Sequence, residues 1–166
     1  MATTEEAINA VQARFDDVKS NEFRAQKRIV VPAGNLIDIM TLLKNDLGFD
    51  LLVDITCVDY LQFRGATDRF GMVYLLSNTT TAARLTIRVM LNEPELSVHS
   101  VVKLWEGANW MEREVFDMFG IVFDGHPDLR RILLPEEFTA HPLRKDYPLQ
   151  GRGERHNFPT ITRNQA

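Results

Sequence analysis

The sequence predicts an α+β fold: a two-layer domain with helices on one face of a mainly antiparallel four-stranded sheet, followed by an extended, proline-punctuated C-terminal arm. Three observations carry this expectation. Apolar residues recur at spacings of three and four near the N-terminus and again near residue 110, which is helical periodicity. Three successive runs rich in Val, Ile, Leu, Thr and Tyr follow one another with connections too short for crossover helices, so they should pair antiparallel. Beyond residue 125 prolines recur every few residues and forbid both long helix and continuous ladder.

Residues 4–18 place Ile8, Val11, Phe15 and Val18 on one face, with Thr4 as the expected N-cap and Glu5 and Glu6 suited to the first turn. Residues 22–31, EFRAQKRIVV, read as a first strand that stops at Pro32. The stretch NLIDIMTLLKNDLG is helical through Leu36, Ile39, Met40 and Leu43, with Gly48 as its stop. Residues 49–59, 70–78 and 84–91 are the three strand-like runs. The segment NWMEREVFDMFG then supplies a third helix, on which Met111, Val115 and Met118 share an apolar face. Arg113 and Asp117 stand four residues apart and are placed to pair.

The totals bound the function. A chain of 166 residues is long enough for one domain with a hydrophobic core, and 45% hydrophobic with 25% charged residues is ordinary globular composition. A net charge of −4 argues against a dedicated nucleic-acid binder. There is no apolar run of about 18 residues to span a membrane. The acidic, polar start resembles neither a signal peptide nor a transit segment, so a soluble protein on the cytosolic side is expected. Cys57 is the single cysteine; it cannot form an intrachain disulfide, cannot alone ligate an iron–sulfur cluster, and in the run LLVDITCV reads as a buried thiol. No phosphate-binding glycine loop is present, so no nucleotide or redox cofactor is expected on this chain.

The character changes at about residue 125, which divides a compact domain (1–125) from an arm (126–166). Residues 1–125 hold 12 basic and 18 acidic side chains, residues 126–166 hold 7 and 5. The arm is nevertheless dotted with Leu133, Leu134, Phe138, Leu143, Tyr147, Leu149 and Phe158, too apolar for a plain linker. Either it lies along a partner and buries these anchors there, or it wraps back over its own domain.

The chemistry-bearing residues cluster between Asn109 and Leu134. Glu112, Glu114 and Asp117 could form an acid–base group with His126, but no nucleophile accompanies them and helical spacing gives each acid a structural task. His126 and His141 each precede a proline, which marks turns, and no HExxH pair suggests a metal. Arg130, Arg131, Arg144 and Lys145 could contact phosphates; the acids interspersed among them favour ion pairs to a protein surface.

The residues EREVFDMF, then HPDLRRIL after a short gap, and later HPLRKDYPL (141–149), resemble the signature blocks of the thirty-kilodalton (C-type) subunit of respiratory complex I, the proton-pumping NADH:quinone oxidoreductase. The resemblance implies a peripheral-arm subunit on the cytoplasmic side of a bacterial inner membrane. It would dock to the forty-nine-kilodalton (D-type) subunit and neighbouring subunits, with membrane association only through the complex. FMN and Fe-S clusters would reside in partner subunits, and this chain would have no active site of its own. The expected partner interface comprises Glu112, Arg113, Glu114, Asp117, His126, Arg130, Arg131, His141, Arg144, Lys145, Asp146 and Tyr147. The equivalent subunit of a membrane-bound hydrogenase or a ferredoxin-dependent complex is the alternative within the resemblance. Outside it stand a free-standing hydrolase and a basic-tailed lipid or RNA adaptor.

Overall fold

A computed structural model describes residues 3–157; Phe158 and Pro159, read above as part of the arm, lie outside the described residues. The elements in chain order are α1 (Thr4–Arg14), β1 (Lys19–Phe23), β2 (Gln26–Val31), α2 (Leu36–Asn45), β3 (Leu51–Asp59), β4 (Phe70–Ser77), β5 (Arg84–Leu91), β6 (Ser97–His99), α3 (Ala108–Phe119) and β7 (Val122–Asp124). The α1 N-cap is Thr3, one residue before the expected Thr4. Its hydroxyl accepts from the Glu6 N–H while the Glu6 carboxylate accepts from the Thr3 N–H, a reciprocal capping box. The helix ends at Arg14, so Val18 reaches the core from the following turn.

The expected four-stranded sheet has five strands and is mixed, in the order β1-β2-β5-β4-β3. Residues 22–31 are not one strand, because the chain reverses at Arg24 and Ala25 with φ of 51° and 61°. Two consecutive left-handed residues match the right-handed twist of a tight hairpin, and β1 and β2 pair antiparallel across them. β2 then lies parallel to β5 (Ile29 opposite Ile87), through a connection that runs by way of α2, β3 and β4. β3, β4 and β5 pair antiparallel. A second sheet, also unforeseen, pairs β6 and β7 in parallel.

The sheet register shows where the core lies. Ile55, Tyr74, Ile87 and Ile29 line up across the strands, with Cys57, Met72, Val89 and Val31 in the next row of the same face, and all eight are buried. Ala7 and Val11 of α1, Ile39, Met40 and Leu43 of α2, and Val115 and Met118 of α3 join them in one cluster. Three helices therefore cover one face of the sheet, with α3 over the β3 side. Cys57 sits inside this core, and burial, with Asp59 adding to it, pushes its thiol pKa up to about 12.

Candidate functional site

α3 ends in Gly120, whose φ of +75° is the left-handed geometry that terminates helices. A Cβ there would meet the His141 ring at 2.6 Å, so the chain after the helix is packed directly onto its C-terminus. Residues from the arm return along α3 rather than standing off the domain.

Asp117 organises that return. Its side chain is fully buried; Oδ1 accepts from Arg131 Nη1 at 2.6 Å, and Oδ2 accepts from the N–H groups of Ile132 (3.0 Å), Leu133 (2.8 Å) and Leu134 (2.9 Å). Burial alone would raise the carboxyl pKa. The bonds from Leu134, Leu133, Arg131 and Ile132 outweigh it and hold the group below the usual carboxylate range. Arg113 takes the carbonyls of the same turn: Nε donates to Arg130 O (3.1 Å) and Nη2 to Arg131 O (3.2 Å), with the guanidinium stacked 5.2 Å from the Trp110 ring. The expected Arg113–Asp117 ion pair is therefore corrected. These two side chains, one turn apart, clasp the N–H and C=O groups of residues 130–134 instead.

The last carbonyls of α3, which have no partner within the helix, are also taken by this segment. Asp117 O accepts from Arg131 Nη1 and from His141 Nδ1 (3.0 Å), Met118 O from the Leu143 N–H (3.2 Å), and Phe119 O from Arg144 Nε (2.6 Å). Burial keeps the His141 pKa below its ordinary value, with Arg144 and Arg131 acting in the same direction. Arg144 continues to Glu93 at 3.1 Å. Arg69 joins Glu93 (2.7 Å), Asp146 (2.8 Å) and Asp59 (3.4 Å), and the Lys145 N–H donates to Asp59 at 2.8 Å. The Phe138 and Tyr147 rings meet with centroids 5.9 Å apart.

Glu112 serves a separate buried network. Its carboxylate accepts from Ser100 Oγ and from the Val101 N–H, both at 2.7 Å. Burial nevertheless pushes its pKa up to about 7. His126 Nδ1 accepts from the Asp128 N–H at 3.0 Å, which leaves its proton on Nε2, 3.3 Å from Asn109 O and 4.0 Å from Glu112. His126 and His141 thus belong to different networks. Among the described residues no group of three or more His, Cys, Asp and Glu side chains could hold a metal ion.

Of the expected interface residues, Arg113, Asp117, Arg131, His141 and Arg144 form one clasp, Asp146 and the Lys145 backbone tie to Asp59 and Arg69, and Glu112 with His126 lies beneath. Only Glu114 and the side chains of Arg130 and Lys145 face solvent without entering the clasp, Arg130 pairing locally with Asp128. Ser100, Asp59, Arg69 and Glu93 were not anticipated; of these only Asp59, at the inward phase of a β alternation, carried a sequence signal. Outside the clasp stand Trp110, Leu133 and Leu143, 60%, 61% and 52% exposed.

Residues 29–153 match the sequence family described as respiratory-chain NADH dehydrogenase, 30 Kd subunit. The chain belongs to this family. A relative from Trichlorobacter lovleyi, named as the C subunit of NADH-quinone oxidoreductase, is 43% identical over 157 residues, 92% of this chain and 94% of that one. The protein of the same name from Moorella thermoacetica is 42% identical over 88% of this chain and 96% of its own. A solved trypsin-resistant fragment (1-134) of Nqo5 superposes with a TM-score of 0.68 at 33% identity, covering 74% of this chain and 99% of the fragment. A chain of the archaeal membrane-bound sulfane sulfur reductase superposes at 0.73 with 23% identity over 87% of this chain and 85% of its own, which is a likeness of fold. Among the described residues no helix is long and apolar enough to cross a membrane.

Proposed function

We propose that this chain is the C-type subunit of an NADH-quinone oxidoreductase, and that its task there is assembly. Family membership and identities of 43% and 41% to proteins that carry that name support the first part. One observation supports the second. Arg113 and Asp117 of α3 are engaged by the chain's own backbone rather than turned to a substrate, and Trp110 and Leu133 stand outward beside that clasp. Large apolar side chains in fixed positions with a charged rim make a docking face. In this reading the face meets the D-type (forty-nine-kilodalton) subunit on the cytoplasmic side of the membrane, and the chain is peripheral, held through the complex. FMN and Fe-S clusters reside in other subunits, and no step of electron transfer occurs on this one. The likeness to the sulfane sulfur reductase chain extends to fold only, so it does not favour a hydrogenase or ferredoxin-driven complex.

A Trp110→Ala/Leu133→Ser double variant tests the docking face, because exposed substitutions of this kind shift stability by only about 0.5 kcal/mol each. The purified variant keeps its melting temperature, while native mass spectrometry of the solubilised complex shows it missing together with its D-type contact. Full incorporation of the variant would refute the docking face.

A further inference from the structure

The five-stranded sheet has a second face that no helix covers. On it the register aligns Thr56, Val73, Arg88 and Val30 in one row, Asp54, Leu75, Thr86 and Arg28 in the next, and Leu51, Ser77 and Arg84 at the end. Lys19, opposite Val30, belongs to the same face. Lys19, Arg28, Arg84 and Arg88 thus stand together on one side of a chain whose net charge is −4. Among the described residues none of these four makes an ion pair, whereas Arg69, Arg131 and Arg144 all do. Asp54 is the one carboxylate in those rows.

Neutral neighbours hold two of the cations in place without cancelling their charge. Arg28 Nε donates to the Asn21 side chain and its guanidinium lies 5.3 Å from the Phe23 ring; Arg88 donates to the Tyr60 hydroxyl and lies 5.5 Å from that ring. Planar guanidiniums fixed by stacking are preorganised to meet carboxylates in bidentate fashion. Between them the surface mixes apolar side chains with Thr56, Thr86 and Ser77. Leu51, Val53 and Leu75 line a depression bordered by Gln26, Arg84, Thr86 and, at the start of α1, by Glu5, whose carboxylate is paired with Lys27 at 2.9 Å; Leu51 and Val53 are 46% and 48% exposed.

We propose that this open face docks an acidic protein surface belonging to a second partner, distinct from the one on the α3 clasp. An apolar side chain of that partner enters the depression between Leu51, Val53 and Leu75, and its carboxylates meet Arg28, Arg84 and Arg88. Charge complementarity selects the occupant: like cations side by side repel until an acidic surface covers them. The Asp54 carboxylate among them and the negative total charge disfavour a phosphate backbone. The chain would then bridge two subunits, one on each side of its sheet; this rests on the assembly reading above.

Photo-crosslinking in the intact complex tests it, with a benzophenone-bearing residue introduced at Thr86 and, separately, at Leu133. The Thr86 probe captures an acid-rich segment of a subunit other than the one Leu133 captures. Arg28→Glu with Arg84→Glu lowers that Thr86 yield roughly tenfold, leaving the Leu133 yield and the melting temperature unchanged. Capture of the same subunit from both positions, of a second copy of this chain, of a basic or uncharged segment, or of nucleic acid overturns the proposal, as does a silent Thr86 probe. A working Leu133 probe beside a silent Thr86 probe defeats only this inference; silence from both defeats the assembly reading as well.

Discussion

At the scale of single residues, Asp117 does more for this structure than its place in a charged run suggests. One carboxylate satisfies three consecutive backbone N–H groups and a guanidinium, and the backbone carbonyl of the same residue accepts from His141. Truncating it leaves those partly buried donors without an acceptor, and removing the buried partner of a charge pair is strongly destabilising. Asp117→Ala is therefore expected to cost about 3–5 kcal/mol by denaturant unfolding, where an exposed acid such as Glu114→Ala costs about 0.5 kcal/mol or less. Equal, small effects at both positions would mean that the clasp is not what holds residues 130–134 to α3. Helical spacing alone put Arg113 beside Asp117. It could not show that both would be drawn to the backbone of a segment some fifteen residues on, because buried backbone groups need donors and acceptors more than a half-exposed ion pair does.

At the scale of elements, the parts legible in the sequence are those whose periodicity is set by a single buried face. α2 and α3 show their apolar stripes openly, and β3 to β5 show alternation. The β1–β2 hairpin was hidden for a definite physical reason: its turn is Arg24-Ala25, with neither the glycine nor the asparagine that usually marks left-handed backbone. β1 is exposed at every position, so alternation gave no help either. Parallel pairing of β2 with β5 is a tertiary choice that no local pattern encodes. The arm was legible as apolar and proline-rich, and its two possible resting places were distinguishable only once the open carbonyls of α3 were seen to need donors. Because left-handed geometry is costly for side chains with a Cβ, Arg24→Asn with Ala25→Gly should stabilise the hairpin by about 1 kcal/mol, read as a higher urea midpoint with unchanged slope. A lower midpoint would show that the turn residues are held by contacts that the substitution removes.

At the scale of the whole molecule, the acids engaged by α3 and the returning segment divide into two groups that respond oppositely to pH. Asp117 and Asp146 have lowered pKa values, the first against the penalty of burial and the second through Arg69, so the stability they add is lost as pH falls below 3.8, their ordinary value. Glu112 is raised from 4.5 to about 7 by burial. In the unfolded chain it has already lost its proton at pH 6, whereas in the folded protein it still largely keeps it. Between pH 7 and 4.5 the folded state therefore binds the extra proton, and this group's contribution to stability rises as pH falls. His141, with its pKa lowered by burial, works the other way below 6.5, so the wild-type profile alone does not isolate Glu112. The difference between wild type and Glu112→Gln does. The amide oxygen keeps an acceptor for the Val101 N–H and the amide nitrogen can donate to Ser100 Oγ, yet the group does not titrate. Wild type should gain on the variant as pH is lowered from 7 to 4.5, with a total change of a few kcal/mol at most, followed by guanidinium unfolding at half-unit steps. A difference that stays flat across this window would mean that Glu112 is ionised in the fold and that its two donors outweigh its burial.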